Sequence, residues 1–143
     1  MKDLTKEPPR SPNEILGGFK ILPRMIDKCR AVINNVQGEY KFNCPLDKRF
    51  FEFKKIDAEK FKNFVAENHT DEEILEWVNT HGENKTEEEI KEWADTVDKT
   101  DYATNPEKMV WFIPDCKELG LDPFKTSLHE YLEADDKATF ASL

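Results

Sequence analysis

A cysteine set directly before a proline is the sharpest chemical feature of this chain, in the string Asn43-Cys44-Pro45-Leu46-Asp47. Proline is favoured at the first position of a helix, so Cys44 caps that helix and Asp47 stands three places on. The free N–H groups of a helix start stabilise an anion. A thiol held there ionises more readily and can serve as a nucleophile or a redox sensor. Asp47 works against this, because its carboxylate stands near the same sulfur. No histidine or second cysteine lies close in sequence to act as base or resolving thiol. A small apolar cysteine at a tight turn fits the same string, since free cysteine is among the most buried residue types.

The second feature is a cluster of charges, Arg24, Asp27, Lys28 and Arg30, spaced three and four apart on or beside one helix. Such pairs on a solvated helix face contribute about 0.2–0.5 kcal/mol each. The chemical alternative is anion recognition, with arginine offering a planar fork and lysine a point charge. Pro23 places Arg24 in the first helical turn, where backbone N–H groups also favour anions. Together the two features define one expected site, between the Arg24–Arg30 helix and the Tyr40–Arg49 segment. In it Arg24 and Lys28 hold an anionic group, with Tyr40, Asp47 and Arg49 as further ligand contacts. Asp27 orients the cations or acts as acid or base, and Cys44 is the candidate nucleophile.

Other residue types offer less. His69, His81 and His129 have no metal-ligand spacing. Asp135-Asp136 lacks a calcium-loop pattern, and Gly17-Gly18 lacks a phosphate-loop context. Neither a metal nor a cofactor is expected. Cys29 and Cys116 lie on apolar helical stripes and are assigned to the core.

The elements that must position these residues are read from caps and periodicity. Ser11-Pro-Asn-Glu14 has the form of a capping box and predicts a short helix, cut off by Gly17-Gly18. Met25, Ile26, Cys29, Val32, Ile33 and Val36 predict a helix from Pro23, with Gly38 as its stop. Further helices are expected from Pro45 to about Phe53, after Asp57, after Thr70 and after Thr86. The last two echo one another: Thr70–Thr80 aligns with Thr86–Thr96, matching Ile74 to Ile90 and Trp77 to Trp93. Asn105-Pro106 predicts a helix broken or kinked at Pro114 and ended by Gly120. Ser127 caps a short helix through Leu132, and Asp135 or Asp136 caps a separate last turn. Strand signals are weak. The expected fold is all-α, a single compact orthogonal bundle of about six to eight short helices. Residues 1–143 form one domain, with 1–10 as a flexible arm.

A net charge of -9 repels phosphate backbones, and no basic cluster offsets it, so nucleic-acid binding is not expected. No apolar run reaches the length of a membrane span, and the N-terminus has no secretory h-region. Three irregularly spaced cysteines are no disulfide framework and suit a reducing cytoplasm.

Three strings then stand together: Leu16–Ala31, which contains Leu-Pro-Arg-Met-Ile-Asp-Lys; Tyr40–Asp47; and Leu119–Pro123 followed by Tyr131–Asp136. With them the chain resembles the domain of unknown function 5069 family. That resemblance implies a small bacterial cytoplasmic protein and carries no activity or catalytic residues with it. The functional expectation is binding of a small anionic molecule, by a binding protein or an enzyme. The competing expectation is a protein-interaction module without chemistry, using aromatic and acidic helical faces.

Overall fold

The computed structural model describes residues 1–142. The order of elements is a hairpin, β1 (Ile15–Leu16) and β2 (Phe19–Lys20), then α1 (Leu22–Ile33), α2 (Pro45–Lys54), α3 (Ala58–Val65), α4 (Asp71–His81), α5 (Glu87–Val97), α6 (Met109–Glu118) and α7 (Leu128–Thr139). The fold is all-α apart from that small hairpin. The chain divides into two compact units, Met1–Val97 and Asp98–Leu143.

The hairpin replaces the helix expected at Ser11. Ser11 does receive a local hydrogen bond, from the Asn13 N–H to Oγ, but it closes a turn. The chain then runs into Gly17-Gly18, both at positive φ (59° and 86°), with Ile15 paired to Lys20 and Leu16 to Phe19. A two-residue turn with positive φ at both positions matches the twist of a hairpin, so the glycines set the structure over the capping pattern. Ile21 follows at φ 64°, an uncommon conformation for a β-branched residue, and its side chain is fully buried.

α1 ends sooner than Gly38. Asn35 takes the left-handed position at φ 57°, and the Val36 N–H donates back to the Ala31 carbonyl at 2.9 Å. This is the Schellman arrangement, with asparagine in the place usually held by glycine. Gly38 has a different task. Its φ is +58°, and a Cβ there would lie 2.8 Å from the Leu4 carbonyl oxygen. Residues 1–10 are therefore no free arm: Leu4 is 1% exposed, and its N–H donates to the Val36 carbonyl at 2.9 Å. Gly38→Ala is expected to cost at least about 1–2 kcal/mol, the penalty of a side chain in the left-handed region. It should also free the N-terminal segment, read as faster tryptic cleavage at Lys2 and Lys6. Unchanged stability and unchanged cleavage would show that the Leu4 contact is dispensable.

The first unit is built round an aromatic core. Phe19, Phe50, Phe61, Ile74 and Val78 are fully buried, with Trp93 and Phe51 nearly so. Phe19 meets Phe50 edge-on at 5.3 Å, and Phe53 stacks on Trp93 at 5.0 Å. Rings of this size compensate for a modest aliphatic content. The two echoed helices, α4 and α5, are of equal length and share reciprocal Thr/Glu caps at Thr70–Glu73 and Thr86–Glu89. Lys54 is 2% exposed; its ammonium donates to the Glu83 carbonyl at 2.8 Å, and burial lowers its pKa.

The second unit holds α6 and α7. Asn105-Pro106 opens a turn and not a helix, since the Asn105 side chain accepts from the Glu107 and Lys108 N–H groups. α6 starts at Met109 and runs through Pro114 unbroken. Only one intrahelical bond is at stake there, because proline lacks a single donor. Gly120, at φ 75°, ends it, with the Leu121 N–H reaching back to Cys116 at 2.8 Å. α7 is one continuous helix to Thr139 and not two pieces, so neither Asp135 nor Asp136 acts as a cap. Tyr131 of α7 packs on Trp111 and Phe112, and Phe112 also meets Tyr102.

Candidate functional site

α1 carries the candidate charges and buries nine of its twelve residues. Its charged stripe is therefore not a solvated face. Arg24, Asp27 and Lys28 are each about 4–5% exposed. Burying three ionised groups is costly unless each has a partner, so the neighbours decide what the stripe can do.

Lys28 is the centre of the first cluster. Its ammonium lies 2.9 and 3.1 Å from the two Asp47 oxygens. It also donates to the Cys44 sulfur at 3.4 Å. Asp47, 1% exposed, accepts a further bond from the Asn43 N–H at 2.9 Å. Asn43 is in the left-handed conformation, φ 60°, which lets the chain turn sharply into α2. Cys44 does occupy the N-cap position, but its thiol makes no capping bond to the helix backbone. The sulfur faces Lys28 instead, and the residue is half-buried, whereas Cys29 and Cys116 are fully buried. Burial pushes the Cys29 thiol up to about 12. Cys44 is thus the accessible thiol of the three, at a helix start and against a cation.

Asp27 belongs to a second cluster. It does not orient Arg24 and Lys28. Arg10 takes it, through the backbone N–H at 2.8 Å, Nε at 3.0 Å and NH2 at 3.0 Å. The same guanidinium donates to Asp71 at 2.7 Å, and Arg30 reaches Asp71 at 3.1 Å and the His69 carbonyl at 2.8 Å. The hydrogen bond from Arg10 holds the Asp71 carboxyl below the usual range, against the effect of burial. All three of these bonds to Asp27 come from Arg10. Arg24 lies between the clusters, donating to the Arg10 carbonyl at 3.3 Å with its guanidinium 5.6 Å from the Tyr40 ring centre.

The structure brings together Lys28, Cys44 and Asp47, and sets Arg24 on Tyr40. It does not bring Arg49 to them: that side chain extends to the Thr96 carbonyl, at 3.4 Å. The residue missed in the sequence is Arg10, which lies in a Pro-Pro-Arg-Ser-Pro string with no local partner. A cleft of 560 Å3 opens beside the turn into α2, lined in part by Tyr40, Lys41, Phe42, Asn43, Asp57 and Lys62. Phe42 stacks on Phe61 at 6.0 Å, which fixes this wall to the core. Among the described residues no group of three His, Cys, Asp or Glu side chains converges as a metal site would. No described helix is long and apolar enough to cross a membrane.

These features define a mostly helical protein in which one helix buries its charges under the N-terminal segment and the turn into α2. The chain belongs to the family described as Domain of unknown function (DUF5069), whose model matches residues 6–137. That match takes in α1, the Cys44 turn and nearly all of the second unit. No curated protein matches the chain.

Proposed function

We propose that this protein binds a small anionic molecule at the junction of α1 and the Tyr40–Arg49 segment, with Cys44 as the thiol that meets it. The observation that carries the reading is the Lys28 ammonium, fixed by Asp47 and directed at the Cys44 sulfur. A cation held there costs no further ordering when an anion arrives, and it acts in a partly desolvated place where charge counts for more than in water. The 560 Å3 cleft reaches the neighbouring Asn43, and its lining carries Lys41 and Lys62 together with Asp57 and Glu59. Arg24 acts through Tyr40, one wall of that cleft, by lying across its ring. A reducing cytoplasm fits three free cysteines.

The test compares two alkylating agents of similar size and opposite demands, iodoacetate (an anion) and iodoacetamide (neutral). In wild type the iodoacetate-to-iodoacetamide rate ratio at Cys44, assigned by peptide mapping, should stand several-fold above that of glutathione. In K28M/D47N, where neither buried charge is left alone, the preference should vanish. A wild-type ratio equal to that of glutathione rejects an anion-attracting site.

A second reading, a protein-interaction module, is favoured by the second unit. There Met109, Val110, Trp111 and Phe124 are 41, 74, 37 and 63% exposed. Exposed large apolar side chains mark a contact surface where they adjoin, as Met109, Val110 and Trp111 do in sequence.

A further inference from the structure

We infer that Lys28 and Cys44 are a covalent modification site: dioxygen joins them through a single oxygen atom, as a sulfur–oxygen–nitrogen bridge. The inference shares with the proposed function only the placement of Lys28 beside Cys44. Three observations converge on it. The nitrogen and sulfur are 3.4 Å apart and already in contact. Cys44 is half-buried, whereas the other two cysteines are fully buried. The lysine is held in place by a buried carboxylate, so it does not wander from the thiol. A lysine stem has four flexible carbons, and a small movement of it makes room for one oxygen between the two atoms.

The step balances as follows. The thiol S–H bond, the N–H bonds in excess of one and the O–O bond break. One S–O bond and one O–N bond form. Sulfur and nitrogen each give up two electrons, and dioxygen takes up all four. One of its oxygen atoms becomes the bridge and the other leaves as water. The ammonium enters with one proton more than the neutral amine, and that proton passes to Asp47, whose nearer oxygen is 2.9 Å away. Oxidation therefore discharges the ion pair as it ties up the thiol. A buried carboxylate is not left alone with its charge, and the Asn43 N–H still donates to it. The usual oxidation of a cysteine proceeds through a sulfenic acid to irreversible acids. A bridge to Lys28 stops short of that, and a thiol reductant reopens it.

Intact wild-type protein is held in air-saturated buffer, with a parallel sample kept anaerobic. The mass in air should rise by one oxygen less two hydrogens, and digestion should yield the Lys28 and Cys44 peptides joined. Dithiothreitol should restore the original mass. C44S should show no change. K28R keeps the cation but offers no amine, so it should oxidise without a cross-link. Oxidation of wild-type Cys44 to sulfenic or sulfinic acid without a cross-link overturns the inference, as does a wild-type mass unchanged by prolonged air. Either result with the iodoacetate preference intact leaves the anion-binding reading standing. A bridge without that preference supports the modification and removes the binding reading.

Discussion

Replacing Asp47 with alanine lowers the free energy of unfolding by about 3–5 kcal/mol, the usual cost of leaving one member of a buried ion pair alone. The expectation rests on burial: the Lys28 and Asp47 side chains are 5% and 1% exposed. The Asn43 N–H loses its acceptor in the same step, at the turn that launches α2. Urea titration reads the change directly. K28M/D47N should recover most of the loss, since exchanging both charges for neutral groups is often near neutral in stability. A single variant within about 1 kcal/mol of wild type would mean that water reaches this pair. The same substitution has a chemical consequence. With Asp47 gone, the Cys44 sulfur is the remaining partner of the Lys28 ammonium. Native-state alkylation of Cys44 at neutral pH should then speed up while the protein becomes less stable. General loosening would speed Cys29 as well, so labelling confined to Cys44 separates the two.

The second large effect falls on Arg10. Arg10→Ala should cost about 2–4 kcal/mol, below the full price of breaking a buried pair because the Arg10 and Asp71 side chains are each 24% exposed. Asp27, only 6% exposed, loses its guanidinium partner in the process. The effect depends on pH through Asp71. Its carboxyl has an ordinary value near 3.8, and the Arg10 hydrogen bond lowers it in the fold. As pH falls, the unfolded chain takes up this proton first. The contribution is therefore complete above 3.8 and is lost as pH drops through the folded value. Unfolding followed between neutral pH and pH 2 should show wild type losing more stability than Arg10→Ala, with the two curves drawing together in acid. Curves that stay parallel would place the acid sensitivity elsewhere.

The legible parts of this fold are the local ones. A capping box is written in four residues, so Thr70, Thr86 and Ser127 could be found from spacing alone, as could Pro45 and the stop at Gly120. Ser11-Pro-Asn-Glu14 has the same form and fails, because the outcome there is set by two glycines further on and by the pairing of Ile15 with Lys20. The site divides in the same way. Cys44 and Asp47 lie in one string, and Lys28 could be nominated as the cation from the helix before. That α1 is covered could not be read, since the cover is made by residues 1–10 and 40–47, distant in sequence from the charges they enclose. Arg10 had no signal at all. Its partners are 17 and 61 residues away, and no periodicity or cap reports a contact of that range.

The separation between Arg10 and Asp71 also orders events in time. A chain made from its N-terminus exposes Arg10 long before Asp71 exists, so its bonds to Asp27 become available first and its link to α4 only later. Closing a loop of that length carries an entropic cost that is met before the contact gives anything back. The aromatic core spans as far, with Phe19 meeting Trp93 at 6.2 Å, so the clamp and the core close over the same scale of sequence separation.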